Sequence, residues 1–135
     1  LRCRTVSHLL VPNGYDFAQL LAILKSVHEP NPKYVGNYTQ MAAMLRMQGV
    51  PYRDGGSFIL RESDVLPLAI SEITWQSYRE PVQAEKWLAD HDEDLQCVVS
   101  GTLPHPRVVD FGQAQSPSLT DYPDAVDTMA FLAAL

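Results

Sequence analysis

Apolar and polar positions in the first part of the chain alternate between strand-like and helical spacing. The apolar run at residues 6–11 predicts a strand that Pro12 ends. Residues 16–28 carry apolar side chains at helical spacing, which predicts a helix with one buried face. Residues 29–32 should stop that helix, because they contain two prolines, which lack a backbone N–H and disfavour helix before them.

A second helix is predicted for residues 38–48. Asn37 or Thr39 is its expected N-cap, and Gly49 suits the left-handed position after its last turn. One face of this helix is lined by Met41, Met44 and Leu45. Two explanations of the methionines remain open, packing in the core or a pliable surface that binds a partner.

A hairpin and an ambiguous stretch follow. Asp54 and Gly55 stand between two apolar runs and predict a β-hairpin, because both residues tolerate positive φ. Residues 63–75 begin like a helix, yet their leucines and Ile70 alternate as in a strand. We predict a short helix that gives way to a strand at residues 73–75.

The second half of the chain begins with the pattern of a helix. We predict it for residues 81–91, because Pro81 suits a first helical turn and an apolar stripe follows it. That stripe contains Ala84, Trp87 and Leu88. The acidic residues 92–94 after it indicate a solvated turn.

Two strands and a final helix complete the pattern. Residues 95–101 predict a buried strand and residues 107–111 a second one. Residues 112–122 are polar and form the expected linker, within which the loop 112–116 is the expected place for function. The last helix should begin near Pro123.

This alternation of helical and strand patterns predicts the fold class. We expect an α/β or α+β protein with a single mixed β-sheet of about four to five strands and helices packed on it. A chain of 135 residues matches one domain, so residues 1–135 should form a single α/β domain, complete or part of a larger protein.

Charge and composition exclude some functions. Sixteen acidic against ten basic residues give a net charge of −6, which disfavours binding to nucleic acid or to an anionic membrane. No apolar run is long enough to span a membrane. The histidines have no metal-ligand spacing and the glycines no phosphate-binding pattern, so neither a metal nor a bound nucleotide is expected from motifs.

The two cysteines predict different chemistry. Cys3 lies between Arg2 and Arg4, whose positive charge would favour a nucleophilic thiolate. Cys97 lies in a predicted buried strand and is expected to be an inert core residue. Two distant cysteines form no disulfide framework, and we expect reduced thiols in a cytoplasmic protein.

Short segments of the chain resemble the catalytic portion of the aldehyde dehydrogenase superfamily, in particular bacterial acyl-CoA reductases. Arg2-Cys3 with the strand and helix after it resembles the cysteine strand of that family. Ser71-Glu72-Ile73 with Leu95-Gln96 resembles its Glu-Ile and Leu-Gln segments, and residues 107–109 with 112–115 resemble its closing strand and loop.

The resemblance implies a thioester or thiohemiacetal on Cys3 and hydride exchange with NAD or NADP. It places Glu72 near the cofactor ribose and Gln113 in the cofactor-binding loop. The chain nevertheless offers no nucleotide-binding domain and no candidate for the general base of that family.

Two functions are therefore expected. The first is a small non-catalytic interaction or assembly domain without a cofactor. It would bind a protein partner or a second copy through exposed residues, for which the candidates are Met41, Met44, Met47 and Trp75. The alternative is a fragment or divergent relative of an aldehyde or acyl-CoA oxidoreductase with Cys3 as nucleophile.

Overall fold

The computed structural model describes residues 4–26, 31–122 and 126–135. Contacts divide the chain into two compact units. We refer to Val6–Arg79 as the sheet unit, and to Leu1–Thr5 together with Glu80–Leu135 as the acidic unit. The expectation that residues 1–135 form one domain stays a prediction.

The sheet unit contains a mixed four-stranded sheet. Its strands are β1 (His8–Pro12), β2 (Arg53–Asp54), β3 (Ile59–Glu62) and β4 (Glu72–Tyr78), in the order β1-β4-β3-β2. The central strand β4 pairs in parallel with β1 and with β3, and β2 pairs antiparallel with β3. The predicted class is confirmed as α+β, because helices pack on a mixed sheet of four strands.

One face of this sheet packs against helix α1 (Ala18–Lys25). Its buried cluster contains Val11, Phe17, Phe58 and Leu60, with three leucines of α1 packed against it. The helix begins at Ala18, whose N–H donates to the Asp16 carboxylate at 2.9 Å. The structure thus contains the predicted amphipathic helix with a later start, because Phe17 is buried as the residue that precedes it.

Helix α2 (Pro32–Gln48) packs at a second core cluster that contains Ala42, Leu45 and Ile59. The predicted start at residue 38 and both predicted N-caps are wrong. Asn31 caps the helix by accepting from the Lys33 N–H at 3.0 Å, and Pro32 occupies the first turn, where its missing N–H costs nothing. The prediction for Gly49 is confirmed, with φ at +67°.

Residues 63–71 form a loop, so the predicted short helix is wrong there. Ser63 Oγ accepts from the Val65 N–H at 3.2 Å in a local turn, and Pro67 supplies no N–H for a helical bond. The strand predicted for residues 73–75 is confirmed within β4. The hairpin is also present, with residues 55–58 as its loop.

The acidic unit contains helix α3 (Pro81–Asp90) and a 3-10 turn (Asp92–Asp94). Pro81 occupies the first turn, and Glu80 and Gln83 form a reciprocal capping box. The predicted stripe is buried, as the exposed fractions of Ala84, Trp87 and Leu88 confirm.

The remaining elements of this unit are short. Strands β5 (Val98–Val99) and β6 (Val108–Val109) form a parallel pair, and α4 (Thr128–Ala133) is the last helix. The prediction of a long buried strand at residues 95–101 is wrong, because Gly101 and two prolines break the pairing and both strands are only half-buried. The predicted helix start at Pro123 lies outside the described residues.

Candidate functional site

Three buried polar residues lie together at the start of β4 in the sheet unit. The exposed fractions of Ser71, Glu72 and Thr74 are 1%, 3% and 0%. Ser71 Oγ donates to Asn37 Oδ1 of α2 at 2.7 Å, and the Ser71 N–H donates to the same oxygen at 3.2 Å. A buried polar group needs such a partner, so this position links the start of β4 to α2.

Glu72 forms an ion pair with Arg61 of the neighbouring strand β3. Arg61 Nε donates to Glu72 Oε1, and the carboxylate side chain is 1% exposed against 24% for Arg61. The resemblance placed Glu72 near a cofactor ribose; in the structure its carboxylate is buried and engaged by Arg61. This arrangement fixes a negative charge inside the sheet unit, where removal of the cation would leave it uncompensated.

On the same face of β4, Thr74 forms a hydrogen bond with a histidine of β1. His8 Nδ1 of β1 and Thr74 Oγ1 form a hydrogen bond of 2.7 Å, because the parallel register places these residues opposite each other. Together with Arg61 and Glu72 they form a row of polar side chains across three strands. Alternation within residues 59–62 was the available signal, since it places Arg61 on the face of the buried Ile59.

A second polar cluster joins α2 to the hairpin. Tyr38 Oη donates to Asp54 Oδ1 at 2.7 Å, and the Gly56 N–H donates to the same oxygen at 2.8 Å. Arg46 Nε donates to Tyr52 Oη at 2.8 Å. Burial and the bond to Asp54 raise the pKa of Tyr38 to about 12, and the bond from Tyr38 lowers the pKa of Asp54.

In the acidic unit, Arg107 holds the turn that follows α3. Its guanidinium donates to the carboxylate and carbonyl of Asp92, and to the Leu95 carbonyl at 2.6 Å. His105 Nε2 lies 3.3 Å from the same Asp92 carboxylate. Residues 92–94 are exposed, as predicted for a solvated turn, and Arg107 additionally ties this turn to β6.

An open cleft of about 260 Å³ lies within the acidic unit. Its lining includes Arg4, Cys97, Arg107, Asp121 and Tyr122. Cys97 is a free, half-buried thiol at this cleft, so its predicted place in a buried strand is wrong. Cys3, the predicted nucleophile, lies outside the described residues.

The predicted partner-binding residues separate into two groups. Met41 is half-buried against the α2 core cluster, and Trp75 packs on Phe17 with ring centroids 4.7 Å apart, so their expected exposure is wrong. Met44 and Met47 are exposed, at 42% and 88%. They lie three residues apart on α2 and therefore on one side of the helix.

The loop that was expected to carry function is exposed. Gly112 adopts φ +83° at its start, which a residue with a side chain rarely adopts. Gln113 follows it, and its carbonyl accepts from the Ser116 N–H at 2.9 Å. Gln113 itself is exposed.

The C-terminal segment, residues 126–135, is exposed at every position. It includes α4, whose N-cap Asp127 accepts from the Ala130 N–H at 2.9 Å. Its large apolar side chains are all more than half exposed, namely Val126, Met129, Phe131, Leu132 and Leu135. The sequence predicts a helix in this region but does not indicate that its apolar side chains are exposed.

Comparison with known proteins returned no family model, no curated protein and no solved structure that matches this chain. Within the described residues, no helix has the length and apolar character needed to cross a membrane. That part of the chain also contains no group of three or more His, Cys, Asp or Glu side chains that could hold a metal ion.

Proposed function

We propose that this chain is a small non-catalytic domain that binds a protein partner through its C-terminal segment. The observation that carries the proposal is the exposure of all ten residues 126–135, among them five large apolar side chains. Several exposed large apolar side chains within a short segment are typical of protein interaction sites.

The physics of short helices supports this proposal. Helix α4 has six residues, whereas an isolated helix in water needs about 12–15 residues to be even marginally stable. Burial of its apolar side chains against another protein would supply about 25 cal/mol per Å² of apolar surface. A partner would therefore stabilise both the helix and the complex.

Helix α2 offers a second exposed surface with different support. Tyr34, Ala42 and Leu45 are buried and hold this helix in place, while Met44 and Met47 face outward. Methionine side chains adapt to varied apolar surfaces. This surface is smaller than the C-terminal segment, so we assign the main contact to the latter.

Site-specific crosslinking tests the proposal. A photoreactive residue at Ala133 should give a discrete crosslinked species in cells, with a different protein or with a second copy. The change Leu132→Ser with Leu135→Ser should remove it. Leu68→Ser, at a fully exposed leucine of the sheet unit, is the matched control and should leave it.

Absence of a crosslink would contradict the proposal. Strong protection of the α4 amides from hydrogen exchange in a purified monomer would also contradict it, since protection would mean that the helix is stable without a partner.

An oxidoreductase that uses Cys3 is the second candidate, and the parallel pairing of β1 with β4 favours it. Cys3 precedes β1 by five residues in sequence, and Glu72 begins β4. Residues 9–11 lie in β1 and residues 72–73 begin β4, so two of the segments that resemble the dehydrogenase family belong to adjacent parallel strands. NAD or NADP would be the cofactor.

Alkylation of Cys3 as a function of pH tests this second candidate. A reactive Cys3 should be alkylated with a pKa well below the ordinary thiol value of about 8.5. Cys97→Ser isolates its signal and Cys3→Ser removes it. An ordinary thiol pKa at Cys3 would remove the physical basis of this candidate.

A cytoplasmic location is also part of the proposal. The free thiol of Cys97 supports it, because reducing compartments keep thiols unpaired. Expression of the chain with a cytoplasmic and a secreted leader, followed by thiol labelling of Cys97, would show where the reduced form is maintained.

A further inference from the structure

The net charge of the chain resides in one unit. The sheet unit contains six basic and six acidic residues, so its formal charge is zero. The acidic unit contains four basic against ten acidic residues and carries the entire −6. The unit that contains the C-terminal segment therefore differs in net charge from the sheet unit.

Two basic residues of the acidic unit pair with other carboxylates, because Lys86 pairs with Asp90 at 2.6 Å and Arg107 pairs with Asp92. Arg4 lines the same cleft as Asp121. Residues 121–135 contain three acidic residues and no basic one. Asp121 and Asp127 are exposed, and the Ser118 N–H, together with the weaker effect of the Arg4 charge, lowers the pKa of Asp121.

Apolar and acidic groups thus occur side by side at this end of the chain. Phe131 and Leu132 are exposed close in sequence to Asp127, and Leu119 is exposed close to Asp121. Interfaces commonly place such apolar residues at the centre and charged residues at the rim. The charges at the rim select the partner and accelerate its association.

We infer that the C-terminal segment binds a basic, amphipathic segment of a different protein. This inference rests on the proposed function and specifies the chemistry of the partner. A second copy of the chain is disfavoured as the occupant, because two acidic units of charge −6 would repel each other. Lysine or arginine beside apolar anchors on the partner would complement both features of the segment.

Three synthetic helical peptides provide the probes. The first carries leucines on one face and lysines on the other, and the second has glutamate in place of each lysine. The third has the composition of the first in an order without an apolar face. The lysine peptide should bind the full chain at least about tenfold more tightly than either of the others, measured by fluorescence anisotropy.

Variants of the chain locate the contact. Asp121→Asn with Asp127→Asn should weaken binding about threefold to tenfold and reduce its salt dependence. Asparagine caps a helix as well as aspartate, so α4 keeps its N-cap. Leu132→Ser with Leu135→Ser should weaken binding about tenfold or more. Asp64→Asn and Leu68→Ser in the sheet unit are the matched controls and should change nothing.

Several outcomes would overturn the inference. Equal affinity for the lysine and glutamate peptides, with loss in the leucine variant, would reject the basic partner and leave the proposed function intact. If the lysine peptide with an apolar face and the peptide of the same composition without one bound equally well, binding would depend on net charge alone. That result would also reject the inference. If none of the three peptides bound the chain, the inference would be rejected. If the Ala133 crosslink were also absent, the proposed function would be rejected as well.

Discussion

The two units of this protein differ in how far they cover a short apolar helix. Helix α1 has eight residues and α4 has six, and both carry large apolar side chains. In the sheet unit, the leucines of α1 pack on the cluster around Val11 and Leu60. In the acidic unit, every residue of α4 is exposed.

An apolar pattern in the sequence of a helix therefore does not by itself mean that the helix is buried. The leucines of α1 are partly buried against the sheet, so its pattern contributes to a core. Helix α4 presents a comparable pattern outward, where it contributes to stability only after association. Substitutions in the two units should therefore differ in what they change, and the following predictions test that contrast.

The largest effect is expected at the buried ion pair of the sheet unit. Arg61→Met leaves the Glu72 carboxylate buried without its cation and should lower the free energy of unfolding by about 3–5 kcal/mol. Lys86→Met breaks the exposed pair with Asp90 in the acidic unit and should cost less than about 0.5 kcal/mol. Urea denaturation monitored by circular dichroism measures both.

A double variant separates burial of charge from loss of packing. Arg61→Met with Glu72→Leu removes both charges, so most of the stability lost in Arg61→Met should return. If the double variant were as unstable as the single one, the buried carboxylate would not be the source of the loss.

The next contrast compares two leucines. Leu60 is fully buried, and Leu60→Ala should lower the free energy of unfolding by about 2–5 kcal/mol through loss of burial and a residual cavity. Leu132 is 58% exposed, and Leu132→Ala should change it by less than about 0.5 kcal/mol. Thermal unfolding of the isolated chain is the measurement, and equal losses would refute the contrast.

Two glycines of the sheet unit should respond in opposite directions. A Cβ at Gly55 would overlap the buried Phe58 ring, so Gly55→Ala should destabilise the chain by about 1–3 kcal/mol. Gly36 lies within α2 with open space at its Cβ position, so Gly36→Ala should stabilise by up to about 1 kcal/mol. Denaturation midpoints that shift in the same direction would contradict this prediction.

The smallest effect concerns pH and the Tyr38–Asp54 bond. The pKa of Tyr38 is raised to about 12. The contribution of Tyr38 to the stability of the folded chain is therefore complete below pH 10 and is lost as pH rises through about 12. The pKa of Asp54 is lowered from 3.8, so its stabilisation is present above that pH and is lost as pH falls through the folded value.

Absorbance titration of tyrosinate tests the alkaline side. Tyr38→Phe should remove a tyrosine that ionises near pH 12, whereas Tyr15→Phe should leave that step in place. On the acid side, Asp54→Asn should flatten the decrease in stability below the ordinary aspartate pKa. If Tyr38→Phe left the alkaline absorbance titration unchanged and Asp54→Asn left the acid dependence of stability unchanged, the Tyr38–Asp54 bond would be absent in solution.

Some elements followed from local pattern alone. Helix α3 was predicted within one residue, because Pro81 and a stripe of three apolar residues specify both its start and its buried face. Gly49 was predicted in the left-handed position because little else tolerates that conformation. The start of α2 was missed, since Asn31 and Pro32 are also the residues that would end the preceding helix.

The polar residues of the sheet unit were largely beyond prediction. Glu72 was noted for a resemblance, yet its partner Arg61 lies eleven residues away on another strand. Asn37 and Ser71 are separated by 34 residues and meet only when α2 packs beside β4. Such pairs depend on strand register and helix placement, which no local spacing specifies.

Local pattern and composition were enough to predict the class of fold, the stripe of α3, the strand within β4 and the excess of acidic charge. Those properties depend on residues that are neighbours in the chain or on composition. Only the tertiary structure decided that β1 and β3 flank β4 in parallel, that Trp75 is packed and that α4 is exposed. Burial depends on whether a distant segment of the chain supplies a matching surface, and residues 126–135 are exposed at every position.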